Sequence, residues 1–156
     1  DIVLGAVYDA SADEVFWAQS GNGAFRSETR LQVSGCKHPD EALALLGHAR
    51  RNSYASFLAK AERLHALGIE WRRMGSACLG LCRVAEGAAD LYWEDGVKIW
   101  DVAAGILISR EAGAFSKDLL DFQDVEADLQ AFACSPELRS VWAGFANSAP
   151  QSTRSE

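Results

Sequence analysis

From Ile99 to Ala112 the sequence reads as a helix with almost no polar face before Ser109. A helix that is apolar on every side is buried on every side. This segment is therefore expected to lie buried inside the fold. Around it, strand-like and helix-like segments alternate. Strands are expected over 42–48 (a short helix being the alternative there), 69–73, 89–93, 114–117 and 129–133. A helix from Tyr54 to Leu67 follows from Phe57, Leu58, Ala61, Leu64 and Leu67 at three- and four-residue spacing. A second helix runs from Ser76, a capping residue, to about Glu86. Gly68, Gly87 and Gly113 stand where each helix must stop. Ser135-Pro136 opens a last helix to about Phe145. Alternation of this kind argues for an α/β layered domain over 35–146.

The first 34 residues have a different rhythm. Residues 2–8 and 14–19 form a hairpin across the polar turn 9–13, and Phe25 and Leu31-Gln32-Val33 suggest two more short extended pieces. A hairpin with so little beneath it is marginal alone, so it is expected to pack on something outside the chain or on a dimer partner. The chain begins at Asp1 directly in a strand-like run, which reads as a cut end. Residues 147–156 are polar and aperiodic and are expected to be a disordered tail.

Composition narrows the function. The formal net charge is −7, and the basic pairs Arg50-Arg51 and Arg72-Arg73 form no stripe. Nucleic-acid binding, which needs clustered cations to neutralise phosphates, is not expected. No apolar run is long enough to span a bilayer. Cys36, Cys78, Cys82 and Cys134 lack the paired spacing of a zinc site and read as reduced thiols of a cytoplasmic protein. His38, His48 and His65 share no spacing with other ligand types. The acidic run Asp118, Asp121, Asp124, Glu126, Asp128 lacks the glycine and terminal glutamate of a calcium loop and reads as a solvated loop.

Two loops can carry chemistry. In Arg73-Met74-Gly75-Ser76-Ala77 a strand leads into a helix whose free amides can face an anion or hydroxyl, although Gly-Ser before a helix also serves simply as a cap. In Tyr92 to Asp101 a strand ends in Glu94, a turn follows at Asp95-Gly96, and Asp101 sits in the first turn of the apolar helix. Asp101 is either a metal ligand fixed by a rigid helix or a carboxylate that complements the helix dipole. Glu94 is a ligand-binding group, a solvated turn residue or a partner of Lys98.

Read together, these segments resemble the inositol monophosphatase family. Trp100-Asp101-Val102-Ala103-Ala104-Gly105 with Glu111-Ala112-Gly113 is similar to its C-terminal signature, and Arg72 to Ala77 to its Arg-Arg-x-Gly-Ser-Ala segment. Gly87 to Tyr92 resembles its Gly-x-x-Asp-x-Tyr strand; residues 4–9 and Gly21 to Phe25 resemble two earlier stretches. The resemblance implies the C-terminal half of a layered α/β/α/β/α sugar-phosphatase fold: a mixed sheet flanked by helices over 35–146, preceded by antiparallel strands (1–34) of the N-terminal domain's sheet. It implies a Mg²⁺-dependent phosphatase of a small phosphorylated polyol or amino alcohol such as inositol monophosphate. Asp101 is then a catalytic metal ligand, while Glu94, Gly75, Ser76 and Ala77 bind substrate. A homodimer is implied as well.

The family's other metal-ligand motifs, a Glu pair and Asp-Pro-x-Asp-Gly-Thr, do not occur here. One carboxylate cannot hold a two-Mg²⁺ cluster, so the isolated chain is expected to be inactive without an N-terminal portion. Gly80 stands where the family has Asp or Asn, and Lys98 where some members have His. Histidinol phosphate, fructose bisphosphate and nucleotide bisphosphate are alternative substrates, although Glu94 would repel a second phosphate. The competing reading is a non-catalytic relic acting as a binding or oligomerisation module. An unrelated α/β domain would require the ordered matches to be accidental.

Overall fold

Alternate residues of the N-terminal strands point to opposite faces, and the inward set (Phe16, Ala18, Ala24) is small and apolar enough to lie flat on a helix. The computed structural model, which describes residues 1–117 and 124–141, builds these strands into a four-stranded antiparallel sheet in the order β1-β2-β3-β4. The strands are β1 (Leu4–Asp9), β2 (Glu14–Gln19), β3 (Gly23–Arg26) and β4 (Thr29–Arg30). The extended piece expected at 31–33 is not a strand. Leu31 still donates its amide to Ala24 O, but Val33 leaves the sheet and donates to Ala112 O at the end of a helix.

The second sheet is mixed and has five strands: β5 (Leu43–Leu46), β6 (Glu70–Arg73), β7 (Leu91–Val97), β8 (Phe115–Ser116) and β9 (Leu129–Cys134). Their order is β6-β5-β7-β9-β8. β5 runs parallel to β6 and β7, and β9 antiparallel to β7 and β8. The helices are α1 (Tyr54–Ala66), α2 (Ala77–Ala85) and α3 (Ile99–Glu111). Ser53 and Ser76 cap α1 and α2 through their hydroxyls. The expected last helix begins as a 3₁₀ turn at Pro136–Leu138, and its predicted remainder beyond Val141 lies outside the described residues, as do the expected tail, Asp118 and Asp121.

α2 and α3 form the layer between the two sheets. Leu107 and Ile108 of α3, with Cys82 and Ala85 of α2, meet Phe16, Ala18 and Ala24. Val102 and Ile106, with Leu81 and Val84, meet Tyr92, Ala131 and Ala133 of the second sheet. This is why α3 carries no continuous polar face. Fully burying each such side chain is worth about 1.5–3 kcal/mol. Gly105 lets α2 and α3 cross closely, since a Cβ there would come within 2.8 Å of Leu81 Cδ1. On the far side of the second sheet, Phe57, Ala61 and Leu64 of α1 pack on Leu46, Trp93, Phe132 and Leu138. The hairpin unit thus does not depend wholly on something outside the chain, as expected from sequence, because one of its faces is covered by α2 and α3.

Candidate functional site

The layer between the sheets brings the ends of α2, β7 and α3 together. The strand does not stop at Glu94. β7 continues through Asp95 and Gly96 to Val97, with a register shift between Asp95 and Val97 on its antiparallel neighbour β9. The turn expected at Asp95-Gly96 is therefore a bulge within the strand, and Gly96 takes the left-handed conformation (φ 63°) that the irregularity requires.

This places Glu94 inside the protein, 8% exposed. The Tyr92 hydroxyl donates to Glu94 Oε2 at 2.5 Å. Gly47, just past β5, leaves the space the carboxylate occupies, since any Cβ at that position would overlap it. Glu94 is thus neither a solvated turn residue nor a partner of Lys98. Lys98 instead pairs with Asp128 at 3.0 Å and donates to Glu126 O. Burial, then the charge of Glu94 and the hydrogen bond to it, push the Tyr92 phenol well above its ordinary pKa, so the hydroxyl remains a donor.

Asp101 lies in the first turn of α3. Its side chain is 44% exposed, with Oδ2 4.0 Å from Arg51 Nη2 and accepting from the Lys98 amide at 3.4 Å. α2 starts beside it: the Cys78 thiol, one residue past Ala77, contacts Asp101 O at 2.9 Å. Gly80, one turn further along α2, rests on the Tyr92 ring. The segment Gly75–Ala77, the Tyr92–Glu94 pair and Asp101 are therefore connected through Cys78, Gly80 and Tyr92. Among the described residues no group of three or more His, Cys, Asp or Glu converges as a metal site. Mg²⁺ requires near-octahedral oxygen ligation. The described residues do not meet that requirement alone; Asp101 offers one carboxylate.

The sequence reading missed a neighbouring cavity of about 320 Å³, lined by Gly47, His48, Arg51, Asn52, Ser56, Lys60 and Asp95 among others. Arg51 donates to Gly96 O at 2.6 Å, and Arg73 to His48 O at 3.0 Å. Lys60 is buried, forms an ion pair with Asp95 and lies 5.1 Å from the Trp93 ring centroid. Burial pushes the Asp95 carboxyl upward, but Lys60, Gln130 and Ser56 outweigh it and hold the group below its ordinary range. The sequence signals were Ser53, a helix-capping serine two residues after the basic Arg50-Arg51 pair, and a lysine on the apolar face of α1. None of the four cysteines is in a disulfide, and burial pushes the thiols of Cys82 and Cys134 up, the latter to about 12.

Comparison with known proteins agrees with the geometry. The family model described as "Inositol monophosphatase family" matches residues 1–139. An inositol-1-monophosphatase of Mesorhizobium japonicum is 39% identical over 80% of this chain and 47% of its own length. Human inositol monophosphatase 2 is 37% identical over 76% of this chain and 42% of its own. The crystal structure of extragenic suppressor protein suhB from Bartonella henselae superposes with a TM-score of 0.84 at 32% identity, covering 96% of this chain and 59% of that one. The fold is thus the C-terminal portion of that layered architecture, with a mixed sheet flanked by helices. The chain spans about half the length of the curated relatives it matches.

Proposed function

Since this chain belongs to the inositol monophosphatase family, we propose that it is the C-terminal portion of a Mg²⁺-dependent phosphatase acting on a small phosphomonoester such as inositol monophosphate. The observation that carries the reading is the meeting of Asp101 with the start of α2, through the Cys78 thiol and Asp101 O. Asp101 contributes one metal ligand, and an N-terminal portion of the family fold contributes the rest. The free amides at the start of α2, around Gly75, Ser76 and Ala77, face substrate oxygens. Glu94 accepts hydrogen bonds from polyol or amino-alcohol groups. Its burial and its bond to Tyr92 hold it in one position for that purpose. Residues 1–34 belong to the N-terminal domain's sheet, residues 35–146 form the C-terminal domain, and the enzyme is a cytoplasmic homodimer. No helix among the described residues is long and apolar enough to cross a membrane.

With one carboxylate, the isolated chain holds no two-metal cluster and is expected to release no phosphate. The test joins the chain to the N-terminal portion of the Mesorhizobium japonicum relative and measures phosphate release from inositol 1-phosphate with Mg²⁺. Turnover by the chimaera that disappears with Asp101→Asn supports the reading. Turnover by the chain alone, or turnover indifferent to Asp101, refutes it. The second reading, a binding or oligomerisation module without catalysis, draws on the uncovered apolar residues Leu4, Tyr8 and Val15. It takes over if the chimaera folds and is inert.

A further inference from the structure

Arg50-Arg51 and Arg72-Arg73 are separate pairs in a chain whose formal net charge is −7. The fold brings one member of each pair to the same edge of the second sheet. β6, β5 and β7 run parallel, and ligands of such sheets sit outside the carboxyl ends of the strands. The segment after β6 leads into Gly75–Ala77, and the residue after β7 leads into the first turn of α3 with Asp101. The segment after β5 has no part in that site. It lines the cavity of about 320 Å³, through Gly47, His48, Arg51 and Asn52. On β6, Trp71 faces α1 and meets the Phe57 ring edge-on at 5.8 Å. Residues two apart share a strand face, so Arg73 points the same way, and its Nη2 donates to His48 O at 3.0 Å. Arg72 is on the opposite face with Glu70, its ion-pair partner at 3.2 Å. His48 is fixed against the rings of Tyr54 and Phe57, at 5.8 and 5.2 Å. Arg51 donates to Gly96 O at 2.6 Å, while Asp101 Oδ2 lies 4.0 Å away, beyond hydrogen-bonding distance. The other two charges in the cavity wall cancel, since Lys60 is buried and paired with Asp95. Among the described residues, then, Arg51 and Arg73 donate to carbonyl oxygens and to no carboxylate.

We propose that this cavity is an oxyanion subsite, taking a phosphate or carboxylate group between Arg51 and Arg73 on the α1 face of the sheet edge. A guanidinium offers such a group two parallel N–H donors and is weakly hydrated, so it gives up little on binding. Glu94 does not oppose this. Its carboxylate lies on the α2 side, and Gly47 stands between it and the cavity. It repels a second phosphate on its own side of the edge, whereas Arg51 and Arg73 attract one on this side. The oxyanion is either free or a second anionic group of the molecule held at the neighbouring site. The subsite itself does not depend on the phosphatase reading; only the second of these sources does.

The experiment is equilibrium dialysis of the full chain against radiolabelled inorganic phosphate, at an ionic strength fixed with sodium chloride. The expected result is saturable binding of one phosphate per chain. Arg51→Gln and Arg73→Gln each weaken it by about tenfold, the worth of one hydrogen-bonding partner that carries charge. Arg72→Gln removes the same charge from the opposite face and leaves binding unchanged. Circular dichroism confirms that each variant folds. A second measurement needs no variant: in the unaltered chain, phosphate protects Arg51 and Arg73, but not Arg72, from modification by phenylglyoxal, read by mass spectrometry. Absence of saturable binding, binding indifferent to both Arg51→Gln and Arg73→Gln, an equal loss with Arg72→Gln, or no selective protection would each overturn the proposal. The chimaera then identifies the source. A KM for an inositol bisphosphate that rises with Arg51→Gln, while that for inositol 1-phosphate does not, assigns the oxyanion to the substrate. Two unchanged KM values beside intact phosphate binding assign a free oxyanion. A folded but inert chimaera removes the phosphatase reading and keeps the subsite.

Discussion

The hydroxyl of Tyr92 and the carboxylate of Glu94 stand two residues apart on one strand and meet at 2.5 Å, both inside the protein. Neighbours at i and i+2 share a face of a strand, so the pair lies on the side of the second sheet that carries α2. Tyr92→Phe removes the donor but keeps the ring against Gly80. It leaves a buried carboxylate short of a partner, which costs about 1–3 kcal/mol. Urea unfolding of the chain should show that loss in the midpoint at unchanged slope. An unaltered midpoint would mean that Glu94 has another donor of equal strength.

Acid should destabilise the chain through two aspartates. The hydrogen bond from the Ser11 hydroxyl, opposed by burial and aided by backbone bonds and Arg83, holds the Asp9 carboxyl below its ordinary value of 3.8. Asp95 is held below the same value. A carboxyl whose folded pKa is depressed contributes its full stability above the unfolded pKa and loses it as pH falls through the folded one. Unfolding free energy should therefore be flat with respect to these two groups near neutrality. It should fall as pH drops below about 4. Asp9→Asn should reduce that slope at low pH, a difference measurable by denaturant titrations at several pH values.

Much of this fold was legible in the sequence because α3 declares itself. An apolar helix with one early carboxylate can be satisfied only between two layers, and those layers follow from the alternating segments around it. Of the candidate site residues, Gly75–Ala77 and Asp101 lie at element ends, where sequence patterns single them out, whereas Glu94 lies within β7. Two features were not legible. The strand through Asp95 and Gly96 looked like a turn because Asp-Gly is a turn dipeptide. Tertiary pairing with β9 kept it extended and absorbed the glycine as a bulge. The cavity around Lys60 was hidden because its charges cancel over a long sequence separation: Lys60 and Asp95 pair across 35 residues, which local periodicity does not register.

The turn between β2 and β3 is held from a distance by Glu111. Its two carboxylate oxygens accept the amides of Gly21 and Gly23, each at 2.9 Å. The C-terminal end of α3 is thereby tied to the first sheet. Glu111→Ala frees both amides to water at a cost of about 1.5–3 kcal/mol, the range for hydrogen bonds to a charged group. Hydrogen exchange at Gly21 and Gly23 should quicken more than at Phe16, whose environment in the core is unchanged. Equal acceleration at all three would indicate global unfolding and not a loosened turn.

Asp101→Asn separates the two roles weighed for that residue. If the carboxylate serves only the helix N-terminus, the substitution costs about 0.3–1 kcal/mol and nothing else changes. In the chimaera with a complete set of metal ligands, the proposed role predicts loss of phosphate release to background, with a change in unfolding midpoint no larger than the dipole effect. A stable variant that keeps at least half its turnover would assign Asp101 to helix capping.

Gly80, where the resemblance leads to an expectation of Asp or Asn, sits directly against Tyr92. A Cβ at this position would overlap Cε2 and Cδ2 of Tyr92, and Tyr92 is fully buried with its hydroxyl committed to Glu94. The ring can yield only by breaking that bond or by lifting α2, whose other side packs against α3. Gly80→Asn therefore places a larger side chain where even alanine does not fit. Overpacking of this kind costs about 1–3 kcal/mol, partly offset by up to about 1 kcal/mol from removing glycine from a helix interior. Comparing Gly80→Ala and Gly80→Asn by thermal unfolding decides between outcomes. If the ring is fixed, both lower the midpoint, Asn more than Ala. If Tyr92 swings aside, Gly80→Ala raises it, and the Tyr92–Glu94 bond is then not a constraint on α2.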